Sequence, residues 1–327
     1  MPRGTFVISL DFELFWGVID WRSLDAYAGN LRGVRPAVAG MLELFQRYDV
    51  HVTWATVGFL FLTGMDDLLS RRPSVLPEYR HTPLDPYRYA ARAGASVPPD
   101  LHFAPDVIET ILATPGQELA THSLSHFCCL EEPASLEAFR SDLAAAIAIA
   151  DERFGARITS LVFPRNQYTD THVRAAGELG ITAYRGNPDL WMHTPRPQRS
   201  DTLIARAFRF ADAYVPVTRD VSFVPGAAVH GVPVNVKASR YLRPWTPQLQ
   251  WTERLVIGRI TRELAAAAAR GRTYHLWWHP HNFGLHPSQN LAALRAILDT
   301  FAALRRTHGM QSLTMQEVAA ATEGTGA

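Results

Sequence analysis

Short apolar, β-branched runs alternate with amphipathic stretches along most of the chain, and this pattern predicts its secondary structure. Strands are expected at residues 5–10, 52–59, 118–121, 159–163, 181–184 and 274–278, with a short one near residue 313. Helices are expected at residues 36–48, 136–154, 170–179, 253–270, 291–306 and 315–321. Strands that alternate with helices indicate an α/β fold with a largely parallel sheet, either open or closed into a barrel.

Two stretches interrupt this alternation without dividing the chain. Residues from about 64 to 104 are rich in proline, arginine and tyrosine, which is typical of a surface insertion. Residues from about 188 to 250 combine many prolines with short β-like runs, so we expect a cap that faces the substrate. No repeat, low-complexity tract or interdomain linker is visible. We therefore predict a single domain over residues 1–327.

Composition narrows the class of protein. With 327 residues, of which 47% are hydrophobic, the chain can bury a full core. Its net charge of +1 gives no support for nucleic-acid binding. No apolar run approaches the roughly 18 residues that span a bilayer, and no export signal is visible, so we expect a cytoplasmic protein. Cys128 and Cys129 are adjacent, which excludes a disulfide framework and favours small apolar filling.

Polar side chains follow four of the predicted strands at their carboxyl ends, where the loops of parallel α/β folds converge. These clusters are Asp11 with Glu13, His122 with His126, Arg165 with Asn166 and Gln167, and His279 with His281. One such cluster would carry little weight, but four at the same edge of a sheet predict an active site.

The histidine pair in HSLSH has the spacing of metal ligands, because four residues on one helical turn bring two imidazoles to the same face. Chance gives about 0.5 such pairs in this composition, so two hydrogen-bonded surface histidines are the alternative. The segment SLDFE favours a metal, since hydrolytic zinc sites combine two imidazoles with a carboxylate, and a second carboxylate can act as base. Asp11 and Glu13 could instead solvate a strand tip, but burial among their apolar neighbours without a partner would be costly.

The successive motifs LDFE, TWATVGF, ATHSLSH, FPRNQ and LWWHPH resemble those of the polysaccharide deacetylases, the NodB-like carbohydrate esterases of family four. The resemblance extends from about residue 5 to 322 and is poorest in the two insertions. It implies a distorted (β/α) barrel with surface insertions and a divalent metal, Zn²⁺ or a similar ion such as Co²⁺. It also implies a hydrolase that removes an N-acetyl group from an amino sugar in a polysaccharide, glycolipid or sugar-nucleotide precursor.

The resemblance also implies roles for individual residues. Asp11 matches the catalytic base, and His122 and His126 match the metal-binding histidines. Phe12 replaces the usual second aspartate, so Glu13 is the expected third ligand. Similar Asp-x-Glu variants are found among deacetylase-like proteins linked to cell-surface polysaccharides.

Further roles concern the groups that assist the base and the leaving group. Arg165 resembles the arginine that orients the base, although FPRNQ differs from the usual motif order. His279 matches the histidine that protonates the leaving amine, with His281 as a competitor and Asp189 as the acid that tunes it.

Candidate substrate contacts surround these motifs. Trp16 and Trp191 lie beyond predicted strand ends, and sugar faces pack well on aromatic rings. Asn166 is a further candidate. In the stretch KASRYLRP, Lys237, Arg240 and Arg243 form a basic cluster that is either a solvated face or a grip on the phosphate of a nucleotide- or lipid-linked sugar.

Two other functions remain open from the sequence. The same residues would serve a hydrolase of another carbon–nitrogen bond, such as a deformylase or a cyclic amidase. The second of these functions is that of a non-catalytic, carbohydrate-binding relative, and the changed acidic motif is its best support. Retention of both histidines in HSLSH, of Arg165 and of His279 argues against it.

Overall fold

The computed structural model describes residues 3–94, 97–215, 217–218 and 220–323. Its strands are β1 (Thr5–Phe12), β2 (Val52–Thr56), β3 (Gln117–Thr121), β4 (Ser160–Val162), β5 (Ala183–Arg185), β6 (Val234–Asn235), β7 (Arg240–Tyr241), β8 (Thr273–Trp278) and β9 (Gln311–Ser312). Its helices are α1 (Leu24–Arg32), α2 (Val34–Tyr48), α3 (Met65–Ser70), α4 (Pro86–Ala93), α5 (Pro105–Leu112), α6 (Leu136–Phe154), α7 (Asp170–Glu178), α8 (Leu203–Tyr214), α9 (Glu253–Arg270), α10 (Pro280–Phe283), α11 (Pro287–His308) and α12 (Met315–Glu323).

The strands form one curled parallel sheet. Its order is β6–β5–β4–β3–β2–β1–β8–β7, and β9 also pairs with β1. One extended segment, residues 234–242, bridges the two edges of this sheet. The Val236 N–H donates to the Tyr184 carbonyl at 2.9 Å on one side, and the Ser239 N–H donates to the His275 carbonyl at 2.9 Å on the other. The structure thus confirms the predicted distorted (β/α) barrel.

Alternation along β1 separates the two layers of the core. Phe6, Ile8, Leu10 and Phe12 are buried in the large cluster between sheet and helices, whereas Val7 belongs to a smaller cluster inside the curled sheet. Small side chains dominate this inner cluster, since the interior of a narrow barrel has little room. Because successive side chains of a strand point to opposite faces, the odd-numbered positions of β1 line the interior. The polar side chains that β1 contributes to the site therefore project into the interior of the barrel.

The first insertion packs as part of the domain. Its Leu101 and Phe103 are buried in the large core cluster, and α4 contributes Tyr87 and Ala90. The second strand is shorter than expected, because residues 58–61 form a 3-10 turn whose Gly58 N–H donates to the Ser123 carbonyl at 2.8 Å. Within the described part of the chain, no helix combines the length and the apolar character needed to cross a membrane.

Candidate active site

Two carboxylates stand at the carboxyl end of β1. Asp11 lies within the strand and Glu13 directly follows it, so both point to the interior side, and both are buried. Burial by itself raises the pKa of Glu13, but His279, His122 and His126 around it hold that pKa well below its usual range. The site therefore contains an ionised carboxylate in a place from which water is largely excluded.

Glu13, His122 and His126 converge on one point. Glu13 Oε1 lies 3.1 Å from His122 Nε2 and 3.3 Å from His126 Nε2. The ligand atoms of these three residues lie within 4.8 Å of one another, as a metal ion requires. His122 directly follows β3, and its Nδ1–H donates to the Val162 carbonyl at 2.7 Å. Because a carbonyl only accepts, Nδ1 carries the proton of this bond, and Nε2 is the nitrogen that faces the carboxylate and would bind a cation.

The two histidines are brought together by a loop and not by a helical turn, so the geometric reason behind the HSLSH prediction is wrong. No regular helix or strand covers residues 122–130, and Ser123 and His126 adopt positive φ angles of 60° and 59°. The Phe127 N–H donates to Ser123 Oγ at 2.6 Å, which closes the turn between the histidines. Burial lowers the pKa of His126 despite the adjacent Glu13, so its imidazole is neutral, as a metal ligand must be.

Asp142 anchors this loop from helix α6. It is fully buried, accepts a hydrogen bond from the Leu124 N–H at 2.7 Å, and accepts a second one from the Ser125 hydroxyl. Burial raises the pKa of Asp142 to about 6. Sequence reasoning missed this residue. The available signal was an acidic side chain among the apolar positions of an amphipathic helix, where a charge needs partners.

The guanidinium that holds Asp11 belongs to Arg185. Its Nη1 and Nη2 donate to the two carboxylate oxygens of Asp11 at 2.6 and 2.7 Å, and Nη1 also donates to Ser9 Oγ at 3.0 Å. Arg185 is fully buried and lies 4.1 Å above the ring of Trp277. Burial raises the pKa of Asp11, but the charge and hydrogen bonds of Arg185, together with His122 and His279, outweigh this and the pKa is lowered. Asp11 is therefore ionised and fixed in orientation.

The assignment of Arg165 as the residue that orients Asp11 is wrong. Arg165 donates to Asp20 Oδ1 at 2.6 Å and to the side chain of Gln198. Its backbone has φ 58°, in a tight turn after β4, and among the described residues its guanidinium forms no hydrogen bond or ion pair with Asp11. Arg185 ends β5, and a charged residue directly after the predicted strand 181–184 was the signal that could have identified it.

His279 lies between the acidic groups and an open cleft. Its Nε2 is 3.8 Å from Asp11 Oδ2 and 3.6 Å from Glu13 Oε1, and its side chain is 22% exposed. His281 stacks on it at 5.1 Å but is itself buried, with Nδ1 3.9 Å from Glu13 Oε2. Burial lowers the pKa of His281 to about 3, so that imidazole is neutral. His279 is thus the more accessible of these two histidines to a ligand in the cleft.

Asp189 does not tune His279. Its carboxylate is 78% exposed and pairs with Lys237 Nζ at 2.5 Å. In the described part of the chain, His279 Nδ1 has no hydrogen-bond partner. The predicted acid–histidine pair is therefore not formed.

A cleft of about 640 Å³ opens above these groups. The second insertion supplies much of its wall, as expected for a cap, with Met192, His193, Arg196 and Arg209 among the lining residues. Asn166 also lines it, and accepts a hydrogen bond from Arg185 Nη2 at 3.2 Å.

The two tryptophans that were predicted to contact the substrate lie in different environments. Trp16 is buried in the core, where its Nε1–H donates to the His102 carbonyl at 2.7 Å, so its assignment as a substrate contact is wrong. Trp191 is 54% exposed and packs against Phe208, beside the cleft but outside its lining. Trp21 lines the cleft and is 55% exposed, and sequence reasoning missed it.

The basic cluster of KASRYLRP is not a single surface. Arg240 is buried and pairs with Asp212 and Glu263, each at 2.6 Å, so its assignment as a substrate contact is wrong. A second buried arginine, Arg259, also pairs with Asp212, at 3.0 Å. Of the predicted cluster, Arg243 alone lines the cleft among the described residues. Arg240 lies within β7, whereas Arg243 lies beyond the end of that strand and lines the cleft.

Solved structures share this fold. A protein from Mycobacterium smegmatis named as a polysaccharide deacetylase matches with a TM-score of 0.63 and 15% identity, over 99% of this chain and 91% of that one. A second protein so named, from Pseudomonas aeruginosa PAO1, gives 0.58 and 14%, over 99% and 92%. The allantoinase Puue gives 0.60 and 13%, over 99% and 92%. No protein-family model and no curated protein sequence matches the chain. At these identities the likeness establishes the fold, which is that of the polysaccharide deacetylases.

Proposed function

We propose that this protein is a metal-dependent hydrolase that removes an N-acetyl group from an amino sugar of a polysaccharide, glycolipid or sugar-nucleotide precursor. The observation that carries the proposal is the convergence of Glu13, His122 and His126 beside an arginine-paired Asp11, at the base of an open cleft. The sequence resemblance and the fold shared with proteins named as deacetylases support the same reaction.

Glu13, His122 and His126 would hold the metal, and their donor set of two imidazoles and one carboxylate suits Zn²⁺ or Co²⁺. A bound ion of this kind lowers the pKa of a water ligand and polarises the carbonyl of an amide. The bond from His122 Nδ1–H to Val162 fixes the tautomer that such a ligand needs.

Asp11 would act as the general base. Arg185 keeps it ionised and directs both carboxylate oxygens, so that a proton from the attacking water has an acceptor at fixed position. Arg185 is not itself one of the residues that line the cleft, and it would act through Asp11.

His279 would act as the general acid. Its Nε2 lies on the cleft side of Asp11 and Glu13, from which a protonated ring can donate to the departing nitrogen. Water is consumed, and the products are acetate and a free amine. His281 stays neutral and buried, which suits a role in packing against His279.

A cyclic amidase is the second candidate, because the fold match to an allantoinase is as good as that to the two proteins named as deacetylases. The same base, acid and metal ligands would act on either amide. Substrate profiling separates the two, and a formyl amide belongs in the same panel.

The test uses purified protein stripped with a chelator and reloaded with Zn²⁺ or Co²⁺. Acetate release is measured from N-acetylated monosaccharides, sugar nucleotides and chitooligomers, and carbon–nitrogen bond cleavage from cyclic amides and formamides. We expect metal-dependent acetate release that Asp11→Asn abolishes while metal content is kept, and that His122→Ala abolishes together with metal binding. Near-normal turnover of Asp11→Asn would refute the base assignment, and a wild-type protein that retains no metal would favour the carbohydrate-binding alternative.

A further inference from the structure

Four arginines line the cleft, and two of them are neutralised by nearby carboxylates. Arg165 pairs with Asp20, and Arg209 pairs with Asp201. At the base of the cleft the same balance holds, since Arg185 neutralises Asp11. Glu13 would be neutralised in turn by the metal ion that we propose. The remaining charge of the cleft therefore comes from Arg196 and Arg243.

Neither Arg196 nor Arg243 forms an ion pair with a carboxylate in the part of the chain that the structure describes. Backbone carbonyls hold both in place instead. Arg196 donates from Nε to the Thr194 carbonyl at 3.3 Å and from Nη2 to the Trp191 carbonyl at 3.2 Å. Arg243 donates from Nη2 to the Arg209 carbonyl at 3.3 Å, and its guanidinium lies 5.0 Å from the ring centroid of Phe210.

This arrangement suits the binding of an anion. A guanidinium carries five N–H donors in a rigid fork, and most of those on Arg243 are left without a protein partner among the described residues. Stacking and the carbonyl bond restrict the side chain before a ligand arrives, which reduces the entropy lost on binding. The cleft also exceeds the space that one sugar ring fills, since its size is that of sites for larger ligands.

We propose that Arg196 and Arg243 form an anion subsite, so that the substrate is an N-acyl sugar that carries a phosphate or carboxylate group. The substrate class rests on the proposed function, whereas the anion subsite is a binding property that is measured without turnover. Arg243 reaches the cleft two residues beyond Tyr241, whose ring packs on His279 at 5.8 Å, so subsite and general acid share one wall.

The test measures binding calorimetrically on zinc-loaded Asp11→Asn protein, with N-acetylglucosamine and N-acetylglucosamine 1-phosphate as matched probes. We expect the phosphate to strengthen binding at least tenfold, as two charge-assisted hydrogen bonds can. Adding Arg243→Ala or Arg196→Ala should remove about tenfold of this gain each and leave binding of the neutral sugar within about twofold. If Asp11→Asn fails to fold, His279→Gln takes its place.

Arg206→Ala is the matched control, because Arg206 is exposed on α8 and does not line the cleft. It should leave both affinities unchanged. An equal loss of affinity for the charged probe in Arg206→Ala and Arg243→Ala would overturn the subsite. Acetate release by a wild-type enzyme with no preference for any charged substrate over the neutral one would overturn the subsite and leave the proposed function standing.

Two further probes distinguish which kind of anionic group the subsite binds. They are UDP-N-acetylglucosamine and a disaccharide of N-acetylglucosamine and glucuronate. Weaker binding of any of the three charged probes in Arg243→Ala supports the subsite, and the largest loss identifies the source. The loss should shrink as NaCl concentration rises, because salt screens partly exposed charges. No loss with any of the three overturns the proposal.

Discussion

Replacement of Arg185 by methionine should raise the pKa of Asp11 and make it a poorer general base. Arg185 and Asp11 share two hydrogen bonds of 2.6 and 2.7 Å with both partners almost fully buried. Removing one partner of such a pair leaves a buried, uncompensated charge and costs about 3–5 kcal/mol of stability. Part of that cost is avoided if Asp11 takes up a proton, and turnover then falls by roughly 10²- to 10⁴-fold, as for loss of a general base.

The sign of the pH effect follows from the causes that act on Asp11. In the wild type its pKa lies below the unfolded value of 3.8, so its contribution to stability is present above that value and is lost as pH falls. In Arg185→Met the effect of burial remains and that of the arginine is gone, so the pKa of Asp11 rises. The acidic limb of kcat/KM should move to higher pH, and the stability that Asp11 contributes above pH 3.8 should be smaller than in the wild type.

Arg165→Met is the matched control, since it removes the arginine that the sequence assigned to the same role. Arg165 contacts Asp20 and not Asp11, so the acidic limb should stay in place in this variant, whatever happens to KM. The measurements are pH–rate profiles on metal-loaded protein and urea unfolding at several pH values. An acidic limb that moves in Arg165→Met and stays fixed in Arg185→Met would refute this reasoning.

Three other perturbations test the support of the site. In Gly17→Ala the new Cβ would lie 1.9 Å from Glu13 Oε2, and the Glu13 carboxylate must therefore move. Zinc affinity, measured by chelator competition, should fall about tenfold or more with little change in Tm. Asp142→Asn should abolish a loss of about 2 kcal/mol in unfolding free energy between pH 4 and 7, since the folded pKa of about 6 exceeds the unfolded 3.8. An unchanged pH slope would contradict this. Asp212→Ala leaves two buried arginines short of a partner and should cost about 3–5 kcal/mol in urea unfolding, and a loss below 1 kcal/mol would contradict it.

Elements with local signals could be predicted closely. Helix α6 begins after Ser135, whose side chain accepts a hydrogen bond from the Ala138 N–H at 3.1 Å, and it ends at Gly155, which has φ 60°. The residue types next to each end therefore predict both boundaries of the helix. The strands β6 and β7 are two residues long and exist because residues 234–242 bridge distant strands. A pattern of two residues carries no periodicity, and such a strand is determined by its partners.

In the candidate site too, local patterns predict some residues, whereas others are identified only by the tertiary structure. The positions of Asp11, His122 and His279 follow from strand ends and motif spacing, which are local. The choice between Arg165 and Arg185 depends on a turn with positive φ and on which neighbouring strand end faces Asp11, and neither is visible in a single motif. Asp142 is 17 residues from Ser125 in sequence, and only the packing of α6 against the loop brings them together.

The changed acidic motif has a physical explanation in the register of β1. That strand continues through Phe12, which points outward into the helix layer, is 1% exposed and packs edge-on against Trp54 at 6.2 Å. An acid at position 12 would therefore be buried among apolar side chains, away from the histidines. Position 13 returns to the interior side, one strand period after Asp11, and the carboxylate there lies within 3.3 Å of both His122 and His126. Moving the acid by one residue thus keeps a carboxylate beside the histidines while the strand gains an aromatic core contact, so the altered motif alone gives no reason to expect a lost metal site.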